Sequence, residues 1–147
     1  MDDAERGQVA GEAAEIYEDF FIPALFGQWP STLLDLGSVE PGHTVLDVGC
    51  GTGVLARAAV DAVGPDGSVA GVDPNDGMLA VARRAEESVL WYEGSAEDLP
   101  FEDQSFDRVL SQFALMFFAD RERGLAEMGR VLRPDGRVAV ATWSSLD

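Results

Sequence analysis

A chain of 147 residues can bury one continuous core without disulfides or a structural metal, and is short for two independent domains. Its 46% hydrophobic and 25% charged residues describe a globular chain, but the charge is lopsided: 27 acidic side chains face 10 basic ones, all of them arginine, for a net −17. Such a surface repels phosphate backbones and anionic lipid, so it argues against nucleic acid or a membrane as partner and favours a small or cationic ligand.

No apolar run approaches the ~20 residues of a membrane span. Met1-Asp2-Asp3-Ala4-Glu5 places acids where a secretion signal carries positive charge, so a cytoplasmic location is expected. The lone Cys50 can form neither an internal disulfide nor a zinc cluster, which agrees with a reducing compartment. Without lysine, phosphate-loop, Schiff-base and β-lactamase-type chemistries are excluded.

In chain order, residues 8–37 carry apolar side chains at helical spacing, broken by Pro23 and Pro30, which predicts two or three short helices. After the Pro41-Gly42 turn, Thr44–Val48 reads as a buried strand running into glycines, and Thr52–Val63 as a helix stopped by Gly64-Pro65-Asp66-Gly67. The alternation continues: strand Ser68–Val72, helix Asp76–Glu87, strands Val89–Tyr92 and Phe106–Ser111, helix Arg121–Leu132, strand Arg137–Trp143. This rhythm predicts an α/β fold, a Rossmann-like doubly wound parallel sheet with helices on both faces. The fifth strand runs almost to the end of the chain and would expose an apolar edge, so the sheet is expected to stop short, and a second copy is expected to pair along that strand.

The sharpest motif is Asp47-Val48-Gly49-Cys50-Gly51-Thr52-Gly53. Glycines at 49, 51 and 53, between a predicted strand and a predicted helix, allow a tight turn and close approach of a ligand to the main chain at a helix start. The next strand ends at Asp73, twenty residues after Gly53, where a carboxylate can accept hydrogen bonds from two ribose hydroxyls. The third glycine comes one residue too early for the dinucleotide fingerprint, and a carboxylate at Asp47 would repel a pyrophosphate but attract an ammonium or sulfonium. Asp47 also fits a structural role, capping backbone amides.

These residues, with Gly94-Ser-Ala-Glu-Asp-Leu-Pro-Phe101, Ser105-Phe106-Asp107 and Leu132-Arg-Pro-Asp-Gly136, resemble class I S-adenosylmethionine-dependent methyltransferases, in the branch that includes the ubiquinone and menaquinone biosynthesis methyltransferases. The resemblance runs from about Tyr17 to Trp143. It implies one domain, 1–147, with a helical lid over about 1–40 and a core over 41–147, and a seven-stranded family sheet of which this chain supplies five strands. It implies S-adenosylmethionine as cofactor and S-adenosylhomocysteine as product. By the same resemblance Gly49, Cys50, Gly51 and Gly53 would lie against the methionine part, Asp47 near its amino group, and Asp73 on the ribose. Pro74 and Met78 would pack on the adenine, Ser95, Ala96 and Glu97 would meet its edge, and Gln112 and Phe113 would close over the sulfonium. Ser95 stands where the family commonly has Asp. Tyr17 and Phe21 resemble the lid over the cofactor, although an aromatic stripe at helical spacing also fits a core.

Transfer to a small-molecule acceptor would be an in-line displacement, in which the protein aligns the nucleophile and excludes water. No catalytic side chain is singled out. His43 precedes the first strand, away from the strand ends that carry ligands in such sheets. Cys50 reads as a small packing residue and Phe117-Phe118 as packing. The six arginines from Arg108 to Arg137 are interleaved with acids and read as a solvated, salt-bridged face. Two other readings are a module that binds the cofactor without turnover and a nicotinamide-dependent oxidoreductase.

Overall fold

The computed structural model describes residues 11–16, 18–19 and 28–143. In chain order its elements are α1 (Gly11–Ile16), α2 (Pro30–Leu36), β1 (Thr44–Val48), α3 (Val54–Val63), β2 (Ser68–Asp73), α4 (Asp76–Ala85), β3 (Leu90–Glu93), β4 (Phe106–Gln112), α5 (Arg121–Val131) and β5 (Leu132–Ala141). The strands form one sheet in the order β3-β2-β1-β4-β5, and every pairing is parallel. This is the predicted α/β architecture. β1 sits at the centre, so its side chains are covered on both faces.

Alternation along the strands divides the core in two. Val45, Val69 and Leu110 turn to one face and pack with Leu33 of α2 and Leu55, Ala59 and Val63 of α3. Leu46, Val48, Val72 and Val109 turn to the other and pack with Met128 and Val131 of α5. α4 packs against β2 and β3, and α1 lies on α4 through Ala14, Met78 and Val81.

The boundaries differ from the sequence reading where caps and bulges decide them. Thr52 belongs to the glycine turn, and α3 begins only at Val54. α4 stops at Ala85, because Glu86 adopts an extended conformation. β5 begins at Leu132, five residues earlier than expected: Leu132 pairs with Phe106 and Arg137 with Arg108, so residues 133–136 bulge outward before the ladder resumes. A short 3-10 turn, Leu115–Phe117, follows β4 and has no periodicity by which the sequence could show it. Phe118 packs on the α5 face as expected, but Phe117 is 41% exposed. The salt-bridged face is present in Arg130, held by Asp103 and Glu127, and in Arg133, paired with Asp107.

One close contact joins the sheet to the glycine turn. Gly71 on β2 pairs with Asp47 on one side and with Trp91 on the other. The Trp91 indole lies across it, so a Cβ on Gly71 would stand 2.6 Å from that ring and 3.1 Å from Cys50 Sγ, and a Cβ on Gly53 would stand 2.4 Å from it. The indole is fixed by its own N–H, which donates to the Glu86 carbonyl at 2.9 Å. Gly71→Ala is therefore expected to destabilise the fold by about 1–3 kcal/mol through overpacking, read as a lower urea midpoint. An unchanged midpoint would show that Trp91 does not support the turn.

Candidate functional site

In this strand order the chain leaves β1 and β4 toward opposite sides, which opens a crevice at their carboxyl ends. The predicted site residues in the described part cluster around those ends: Asp47 and the glycine turn after β1, Asp73 closing β2, Met78 in the first turn of α4, Ser95–Glu97 after β3, and Gln112 and Phe113 closing β4. His43 lies at the other end of β1, where its Nδ1 accepts the Glu40 N–H at 3.0 Å. Tyr17 and Phe21 lie outside the described residues.

The turn is built from backbone geometry. Gly49, Gly51 and Gly53 have φ of 71°, 56° and 90°, a region unfavourable to side chains. The N–H groups of Gly49 and Cys50 both donate to the Val72 carbonyl, at 2.8 and 3.0 Å, which ties the turn to the end of β2. The surroundings of the glycines differ. A Cβ on Gly49 would meet Ala114 at 2.5 Å and one on Gly53 would meet Trp91, whereas one on Gly51 would meet none of the described residues within 4 Å.

Two buried carboxylates complete the turn. Asp73, 9% exposed, accepts the Gly51 N–H on Oδ2 at 2.9 Å and the Asn75 N–H on Oδ1 at 2.8 Å. Asp47, 2% exposed, shares the α3 face with Val45 and accepts the Ala56 N–H on Oδ2 at 3.1 Å. Ala56 is the third residue of α3, and the N-cap Gly53 has no side chain to offer, so Asp47 caps the helix from the neighbouring strand. Burial raises the pKa of both acids against the opposing pull of these hydrogen bonds. For Asp47 it reaches about 7, with the Asp73 charge adding to the effect. The same burial and the same two acids push the Cys50 thiol up, so Cys50 is an inert packing group, as the sequence indicated.

Other expected residues are placed differently from one another. Pro74 is exposed, while Met78 is buried against Ala14 and Val81. Ser95 is half-buried, Ala96 joins the α5-side core, and the Glu97 carboxylate accepts the Asp120 N–H at 3.0 Å at the start of α5. Phe113 has a φ of 54°, and its ring meets Trp29 edge-on at 6.1 Å and stacks on Trp143 at 4.4 Å. Gln112 Oε1 is buried and has no hydrogen-bond partner among the described residues.

The sequence reading missed Glu18. Its carboxylate accepts from the Thr52 hydroxyl and pairs with Arg57, so the N-terminal segment is fastened directly to the glycine turn. Arg57 also donates to the Gly53 carbonyl at 3.3 Å. Nothing in the spacing of Glu18, one acid among many in the segment, marked it. Trp91 was missed because its role depends on the absence of side chains at Gly53 and Gly71.

The sequence matches the profile of the methyltransferase domain family over residues 46–140. The chain belongs to the class I S-adenosylmethionine-dependent methyltransferases. It is 40% identical over 134 residues to the ubiquinone/menaquinone biosynthesis C-methyltransferase UbiE of Bordetella avium, covering 88% of this chain and 52% of that one. It is 35% identical to the chloroplastic 2-phytyl-1,4-beta-naphthoquinone methyltransferase of Arabidopsis thaliana, covering 95% and 58%. Among solved structures, the YcgJ protein of Bacillus subtilis aligns with a TM-score of 0.65 and 32% identity over 76% of this chain and 48% of that one. A methyltransferase from Aquifex aeolicus has the same fold, with a TM-score of 0.79 and 23% identity over 93% and 74%. The chain spans about half the length of the curated relatives it matches.

The methyltransferase turn carries a cost in stability that can be measured. Asp47 keeps a proton in the folded state that the unfolded chain gives up near 3.8, so stability falls as pH rises from there to about 7. Asp47→Asn keeps an acceptor for the Ala56 N–H and removes the charge. It is expected to raise the unfolding temperature at pH 8, by a gain of at most about 4 kcal/mol, and to change it little at pH 4. A loss of stability at pH 8 would contradict the burial argument.

Proposed function

We propose that this chain binds S-adenosylmethionine at the glycine turn and transfers its methyl group to a small-molecule acceptor. The observation that carries the reading is a glycine turn at the ends of two strands that each bury a carboxylate of raised pKa, with no described residue within 4 Å of a Cβ on Gly51. A cation relieves such acids, whereas a pyrophosphate would meet them with like charge, which counts against the nicotinamide reading. Asp73 has both oxygens on backbone N–H groups, and each carboxylate oxygen retains a second lone pair for a ribose hydroxyl. Asp47 stands by the amino group of the methionine part, with Gly49, Cys50 and Gly51 providing the main-chain floor.

Asp73, Asp47 and the Gly49-Cys50-Gly51 main chain would hold the cofactor, which when bound would supply a methyl carbon activated by its sulfonium, with S-adenosylhomocysteine as the leaving group. The protein's part is alignment and exclusion of water. The relatives' names point to quinone rings as one class of acceptor. A module that binds the cofactor without turnover differs only in product formation, which a methyl-transfer assay with cell extract detects.

Calorimetric titration tests the reading. S-adenosylmethionine and S-adenosylhomocysteine are expected to bind one to one, and NAD not at all; NAD binding without S-adenosylhomocysteine would overturn it. Gly51→Ala adds a methyl that meets none of the described residues, at a positive φ, so it is expected to cost about 1–2 kcal/mol of stability and still fold. Its S-adenosylhomocysteine affinity should fall at least about tenfold, or 1.4 kcal/mol. Unchanged affinity would place the ligand elsewhere.

A further inference from the structure

β3 forms one edge of the sheet: β2 pairs with one side of it, and no described strand pairs with the other. A free edge presents a row of main-chain N–H and C=O groups, which is a template for a further strand. Natural edges are commonly blunted by a bulge, a proline or a lysine. At the opposite edge β5 bulges over residues 133–136 and carries Pro134 there, whereas Leu90–Glu93 pairs in regular register and has none of the three.

The two faces of this edge differ. Leu90 pairs with Ala70 and Tyr92 with Val72, so both stand on the α5 face of the sheet. The chain crosses from β3 to β4 over residues 94–105 without the helix that usually covers such a connection. Leu90 is therefore left 57% and Tyr92 37% exposed, with the Tyr92 ring edge-on to Phe101 at 4.9 Å. On the other face Trp91 turns inward across Gly71, and Glu93 is exposed. Glu86, whose carbonyl accepts the Trp91 indole N–H, and Glu87 add acid before the strand. The arginines nearest in sequence, Arg83 and Arg84, already pair with Asp76 and Glu15. One face of the edge is apolar and the other acidic.

We propose that β3 is a docking edge for a strand of another protein, one that alternates apolar and basic side chains. Its main chain continues the ladder, its apolar side chains lie on Leu90 and Tyr92, and its basic ones meet Glu93 and the Glu86-Glu87 turn. A second copy of this chain is a poor occupant, because it carries a net −17 and would bring its own acids to the edge. The edge lies two strands from β1 and its crevice, so the proposal does not rest on the cofactor reading.

The probe is a short synthetic peptide alternating valine and arginine, compared with one in which glutamate replaces arginine. The arginine peptide is expected to bind the full chain in calorimetry, to slow amide exchange in Leu90–Glu93 at least about tenfold and to leave Leu132–Ala141 unchanged, while the glutamate peptide does not bind. Leu90 and Glu93 are exposed, so Leu90→Arg and Glu93→Arg should leave the unfolding temperature little changed and each weaken the arginine peptide about tenfold. Equal binding of both peptides, protection at β5 in place of β3, or no binding overturns the proposal. Protection of the β3 amides that rises with the concentration of the chain alone also overturns it, by making a second copy the occupant.

Discussion

The turn after β1 depends on burying two carboxylates at the ends of neighbouring strands. Asp73 holds the Gly51 and Asn75 amides, and Asp47 holds the Ala56 amide at the start of α3. These three bonds satisfy main-chain donors that the turn and the helix start would otherwise leave open. They do so with acids that burial pushes toward the protonated form, so the turn is shaped at a cost in folding free energy. The rest of the site follows: glycines at the positive φ positions, Trp91 beneath Gly53 and Gly71, and Glu18 fastened over Thr52.

Much of this was legible in the sequence because strand and helix periods differ and glycines punctuate them. The five parallel strands, their helices and the placement of Asp47 and Asp73 at strand ends all follow from local pattern. The start of β5 did not, because residues 133–136 bulge from the ladder, and a bulge depends on the register of a partner strand. Asp47 was readable as either a cap or a ligand group. The structure gives it the first task outright, through Ala56.

The side chains that local pattern could not show are those whose contacts span the chain. Glu18 lies 34 residues from Thr52 and 39 from Arg57 in sequence. Trp91 looks like an ordinary edge-strand aromatic until Gly71 is seen across from it. Gln112 is an ordinary polar strand end until its oxygen proves to be buried without a partner. The net charge of −17 therefore has two components: a broad acidic surface, and two particular carboxylates buried at the glycine turn.

The most direct measurement is an NMR titration of the Asp47 side-chain carboxyl carbon, in the free chain and with saturating S-adenosylhomocysteine. The account predicts a midpoint of about 7 in the free chain, moving down toward the ordinary carboxylate range when the ligand's ammonium is bound. An ordinary midpoint in the free chain, or one that the ligand leaves unmoved, would contradict it.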